Sequence, residues 1–141
     1  MSQCQAPRAP RPRITGDLAD RLQLAELHYL CHVSGRSVES AAAVFGAGFY
    51  DLTQPEAAWL IGRLRGQGHD VPETPQSVLE AAMTARDAGH PDIRIYLAHW
   101  LARLAGHMAQ GLTRDRAEAA ATTAVVEAAR EYCEQSRQLA A

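Results

Sequence analysis

The sequence predicts an all-α protein: a six-helix bundle in which a three-helix N-terminal subdomain is followed by a three-helix C-terminal half. Three observations carry that expectation. Apolar residues recur at three- and four-residue steps through most of the chain, and nowhere in the two-residue alternation of a half-buried strand. The stretches between these runs are punctuated by proline, serine or threonine before a run and glycine after it, the residues that start and stop helices. The 141 residues are 47% apolar and 21% charged, the balance of a chain that folds rather than one that stays disordered.

The elements follow in order. Residues 1–14 carry Pro7, Pro10 and Pro12 and nothing that can be buried, so they are expected to form a flexible Pro/Arg-rich arm. A first helix is expected from about Asp17 to Val33, with Leu18, Leu22, Ala25, Tyr29 and Val33 on its inner face and Gly35 behind its end. Ser37 can cap a short second helix, Val38 to Phe45, closed by Gly46. The stretch LTQPEAAWLIGRLRG has the clearest local grammar in the chain. Thr53 stands three residues before Glu56 as a capping box, Pro55 lies in the first turn, and Ala57, Leu60, Ile61 and Leu64 form the buried stripe.

Residues 67–74 read as a linker, so the domains are 15–66 and 75–138. Pro75 opens a fourth helix with Val78, Leu79, Ala82 and Met83 inward. Pro91 opens a fifth with Ile93, Leu97, Trp100, Leu101, Leu104 and Met108 on one side. The sixth runs from Thr113 to about Gln138 on a stripe of Ala117, Ala121, Ala124, Ala128 and Tyr132. Alanine faces let helices approach closely but bury little apolar area. Ala117, Ala121, Ala124 and Ala128 are therefore candidates for an interface with a protein partner or a second copy.

Charge narrows the partners. All 14 basic residues are arginine, against 16 acids, for a net charge of −2. Residues 1–16 hold three arginines and no acid, which leaves 11 arginines against 16 acids elsewhere. An acidic body does not attract polyphosphate through displaced counterions, so DNA contact would rest on the arm or a local patch. The candidates are Arg8, Arg11 and Arg13 in the arm and Arg63 and Arg65 at the end of the third helix. Cys4, Cys31 and Cys133 are odd in number and far apart, and form neither a disulfide framework nor a zinc knuckle. The N-terminus has no apolar run of a signal peptide and no stretch approaches the roughly 20 residues of a membrane span, so a cytoplasmic location with no membrane partner is expected.

The block from Ile14 to Gly66 resembles a small helical module of bacterial, phage and plasmid proteins, built as a first helix, a short second helix and an LTxxEAxxLIxxL third helix. The matching residues are Leu52, Thr53, Glu56, Ala57, Leu60, Ile61 and Leu64, with a Phe45-Gly46 step upstream. Two features depart from the pattern: Ala58 is followed by the bulky Trp59, and the closing lysines are replaced by arginine and glycine. The resemblance implies an association with DNA recombination, replication or mobile-element maintenance, and it implies no catalytic residues.

Other chemistry is sparse. His28 and His32 lie four apart on the first helix, as on metal-binding helices, and His99 or His107 could add ligands from the fifth helix, though no HExxH pattern is present. His99, Arg103 and His107 form a ridge able to hold a phosphate or carboxylate. Ser37 to Arg65 could fold as a helix-turn-helix presenting Gln54, Trp59, Arg63 and Arg65, although the turn from Gly46 to Leu52 is long for one. No nucleophile–base–acid set or phosphate-binding loop is present, and no cofactor is implied. The expected function is that of a non-enzymatic accessory protein acting with DNA or a DNA-bound complex; the alternative is a protein-interaction module without a nucleic-acid role.

Overall fold

The computed structural model describes residues 9–140. Among them are six α-helices: α1 (Arg21–Val33), α2 (Val38–Ala42), α3 (Gln54–Arg65), α4 (Gln76–Asp87), α5 (Arg94–Ala109) and α6 (Arg114–Ala140). Two 3₁₀ turns, Ala43–Phe45 and Phe49–Asp51, join α2 to α3, and the described residues contain no strand. None of the helices is long and apolar enough to cross a membrane.

α1 starts later than its apolar periodicity suggests. Asp20 is the N-cap: its carboxylate accepts the Gln23 N–H at 2.9 Å, and Gln23 Oε1 accepts the Asp20 N–H at 3.2 Å. The residues before it are already committed elsewhere. Asp17 O accepts from the Gln54 N–H and the Ala19 N–H donates to Leu52 O, an isolated antiparallel bridge that leaves Leu18 63% exposed rather than on the helix's inner face. α2 begins at the Ser37 cap as expected, then tightens into a 3₁₀ turn that ends on Gly46 in the left-handed region, φ 65°. α3 carries the full capping box.

The helices enclose two apolar cores. One gathers Leu27, Leu30, Cys31, Phe45, Phe49, Leu52, Leu60 and Leu64 from α1–α3. The other gathers Val78, Ala82, Ala85, Tyr96, Trp100, Leu101, Leu104, Ala117, Ala121, Val125 and Ala129 from α4–α6. The two halves are not separate bodies. α1 gives Leu27, Leu30 and Cys31 to the first core and Ala25 and Tyr29 to the second, and it packs directly on α5. Val71 of the connecting segment 67–74 also packs against both cores, so the segment is docked rather than a free spacer.

Two stripes differ from expectation. In α4 the buried residues are Val78, Ala82 and Ala85, while Leu79 and Met83 face outward, because the helix rolls towards α6. In α6 the buried line is Ala117, Ala121, Val125, Ala129 and Cys133. This is a strict four-residue step, the ridge that packs into a neighbouring helix's groove. Trp100 Nε1–H donates to Thr122 Oγ1 at 3.1 Å from α5, and Ser136 Oγ–H donates to Ala88 O at 2.9 Å, which ties the far end of α6 to α4. Ala117 and Ala121 therefore lie in the chain's own core and are not an outward interface, and Ala124 and Ala128 flank that line half-buried.

Residues 9–14 also depart from the expected flexible arm; residues 1–8 lie outside the described residues. Proline excludes a helix here but favours an extended strand-like path, and that path is bonded to the body. The Arg11 N–H donates to Val44 O at 2.7 Å, Pro10 packs over Gly46, and Ile14 O accepts from Thr53 Oγ1–H at 2.7 Å.

Candidate functional site

A concavity runs between α1 and α5 and continues onto the neighbouring surface of α5. Three adjoining hollows, of about 550, 430 and 260 Å³, all include Ala102 in their lining. Their floor is the face of α5 that carries Ala98, Ala102, Ala105, Gly106 and Ala109. From Ile95 to Ala109 this floor is about 21 Å long at the helical rise. The small side chains create the depth. At Gly106 in particular, an added Cβ would meet nothing within 4 Å. Glycine costs a helix interior roughly 0.5–1 kcal/mol relative to alanine, so local stability does not explain it.

The walls differ along the length. At the end near Ile95 they are Leu24, Phe49 and Tyr50, with Tyr50 74% exposed, and Arg21, His28 and His99 line the same hollow. Phe49 is placed there by the 3₁₀ turn and meets the His28 ring edge-on at 4.9 Å. Towards Ala109 the lining becomes more polar: His28, His32, Arg36 and Glu39 line one hollow, and His99, Arg103 and His107 line the neighbouring hollow on the α5 surface. Glu39 is the sole carboxylate among the groove's lining residues, which include Arg21, Arg36 and Arg103. His99 Nε2 accepts from Arg103 Nε–H at 3.1 Å, and burial, with Arg103 adding to it, pulls the imidazole pKa down.

The hollows bring the His28–His32 pair next to the His99–Arg103–His107 ridge, with His28 and His99 lining one of them together. They do not form a metal centre: among the described residues no group of three His, Cys, Asp or Glu side chains is placed to hold an ion. Cys31 lines the same hollow but is buried, and burial pushes its thiol up, away from the reactive thiolate. The lining offers recognition: apolar contact at one end and hydrogen-bond donors at the other.

The candidate nucleic-acid residues have other engagements. Arg13 donates from Nε to Glu56 Oε2 at 2.7 Å and from Nη2 to Glu56 Oε1 at 3.0 Å. Glu56 is fully buried and also accepts the N–H groups of Ile14 and Thr53, so its carboxyl is lowered from 4.5 to about 2, with Arg13 the leading cause. Arg65 pairs with Glu26 at 2.9 Å. Arg11 lies 4.4 Å from the Trp59 ring centre and Arg63 5.4 Å, and Trp59 is itself held edge-on by Phe45. Arg8 lies outside the described residues. Gln54 is exposed at the start of α3, where its carbonyl accepts from Gln23. The loop between α2 and α3 buries Phe49 in a 3₁₀ turn instead of making the short turn of a helix-turn-helix.

No protein-family model matches the chain, and no curated protein or solved structure matches it.

Proposed function

We propose that this protein is a non-catalytic helical binding module whose working surface is the α1–α5 groove, where it takes up a segment of a partner protein. The observation that carries this reading is the groove's construction. It is a row of adjoining hollows that share Ala102, floored by alanine and glycine, with an exposed tyrosine at one end and Arg36 and Arg103 towards the other. Pockets that bind are mostly apolar with a few placed polar groups, and this channel has that balance. Gly106→Leu tests it, because the new side chain projects into the channel while nothing stands against its Cβ. Peptides selected by display on the wild-type protein should lose binding to the folded variant. Selection that enriches nothing, or peptides that bind both proteins alike, would sink the reading.

A second reading, contact with DNA, is favoured by Arg11 and Arg63. Neither forms an ion pair among the described residues, and they converge on Trp59 beside the point where residues 1–8 join the body. It fits the association implied by the N-terminal resemblance. Deleting residues 1–14 is a poor test because it strips Glu56 of Arg13. The cleaner variant replaces Arg8, Arg11 and Arg63 with glutamine. If DNA is contacted here, wild-type binding to duplex DNA at low salt falls with added salt and falls again in this variant. Absence of wild-type binding at low salt removes the reading.

A further inference from the structure

We infer that the partner segment is an acidic peptide with an apolar anchor at one end, lying along α5 with its anchor between Tyr50 and Ile95 and its carboxylates beside Arg103 and Arg36. This deepens the binding-module reading above and rests on it.

Charge complementarity carries the inference. The chain as a whole has more acids than arginines, 16 to 14, yet the groove's lining shows three arginines to one acid. The large apolar side chains gather at one end. Leu24, Phe49, Tyr50 and Ile95 crowd that end, where Arg21 is the single arginine, and the stretch beyond Ala102 holds the other two, Arg36 and Arg103, with His32, His107 and the acid Glu39. At the helical rise, Arg103 lies about 12 Å and His107 about 18 Å along α5 from Ile95. The salt bridges found among the described residues use neither Arg36 nor Arg103. Arg103 is held in place by His99, and Arg36 makes only a long 3.4 Å bond to Gln67. Their remaining donors are suited to carboxylates. A basic segment, including the chain's own arginine-rich N-terminus, would meet like charge there. A wholly apolar segment would leave these donors facing nothing they can bond.

The spacing defines the probe. A synthetic fluorescent peptide long enough to span the floor, about fourteen residues if helical, carries a phenylalanine and a leucine in its first turn and glutamates from the third turn onward. Its isosteric partner carries glutamine in place of each glutamate. The acidic peptide should bind more tightly by about three- to tenfold, as expected for two or three solvent-accessible ion pairs. That advantage should shrink with added salt. Arg36→Gln with Arg103→Gln should erase it, whereas Arg86→Gln, on exposed α4 surface, should leave it intact.

Gly106→Leu should abolish binding of both peptides. If acidic and neutral peptides bind equally and Gly106→Leu still blocks both, docking stands and the charge inference falls. The inference also falls if display selection yields groove-dependent peptides that are neutral or basic. If neither probe binds and selection on the wild-type protein is empty, the binding-module reading falls with it.

Discussion

α3 and α4 are both 12 residues long, and they are held in opposite ways. α3 is fixed at its start. Thr53 and Glu56 close a capping box, and the buried Glu56 carboxylate takes two further hydrogen bonds from Arg13 and one from Ile14. α4 follows Pro75 with no side-chain cap and is held by laying Val78, Ala82 and Ala85 on α6. The contrast extends to the halves they belong to. α1, α2 and α3 all begin on capping side chains around a core of leucine and phenylalanine, whereas α4 and α5 begin without them in a core rich in alanine. Short helices cannot meet the cost of nucleation alone and need their ends satisfied; a long α6 supplies a surface on which uncapped neighbours can pack.

That difference predicts which changes hurt each half. The largest loss is expected at the centre of the alanine-rich half. Trp100 is its bulkiest buried side chain, and Trp100→Ala removes both the ring and the bond to Thr122, at a cost of about 3–5 kcal/mol. Urea unfolding would measure it. A loss below about 1 kcal/mol would show that the surrounding alanines collapse into the space.

Glu56→Gln comes next. It removes the charge from a buried carboxylate that serves four donors and costs on the order of 3 kcal/mol near neutral pH. The cost depends on pH in a specified way. The folded carboxyl titrates at about 2 rather than 4.5, so its stabilisation is complete above pH 4.5 and is lost as the pH falls towards 2. Wild-type and variant stabilities should converge over that window. A difference that stays constant there would mean that Arg13 and Glu56 do not act as a charged pair.

The smallest effect has the opposite sign. Each half has one glycine inside a helix with open space around its Cβ position, Gly62 in α3 and Gly106 in α5. Replacing either with alanine should stabilise the protein by about 0.5–1 kcal/mol. If Gly106 keeps the groove open, Gly106→Ala should also weaken peptide binding while Gly62→Ala leaves it unchanged. Thermal unfolding and peptide titration of the two variants would separate these effects.

Much of this is visible in the residues themselves. The six helices and their stops follow from apolar periodicity, proline and glycine, and the Thr53–Glu56 box reads directly from its three-residue spacing. Local spacing does not reveal competition for the same backbone. Leu18 fits the periodicity of α1, but its neighbours pair with residues 52–54. Likewise, Arg13 and Glu56 are 43 positions apart, and an arm rich in proline carries no mark of the carboxylate it meets.

The shape of the groove is not legible for a similar reason. Both histidine clusters stand out on their helices, and their residue types suggest a shared metal site rather than a groove. The packing of α1 on α5 sets His28 and His99 in one hollow, and the small residues of α5 open it. In α6 the alanines suggest an outer face, yet the four-residue step that buries Ala117 and Ala121 depends on how α4 and α5 lie beneath it.

The placement of α1 has a consequence for how the molecule comes apart. With Leu27 and Leu30 in one core and Ala25 and Tyr29 in the other, neither half can open without disturbing the wall it shares. A fragment ending at residue 66 would leave the Tyr29 side of α1 in water, and one beginning at residue 75 would lack that wall altogether. Amide exchange should therefore report one cooperative unit, with α1 and α5 protected to the level of global unfolding and the uncapped first turn of α4 exchanging through local fraying.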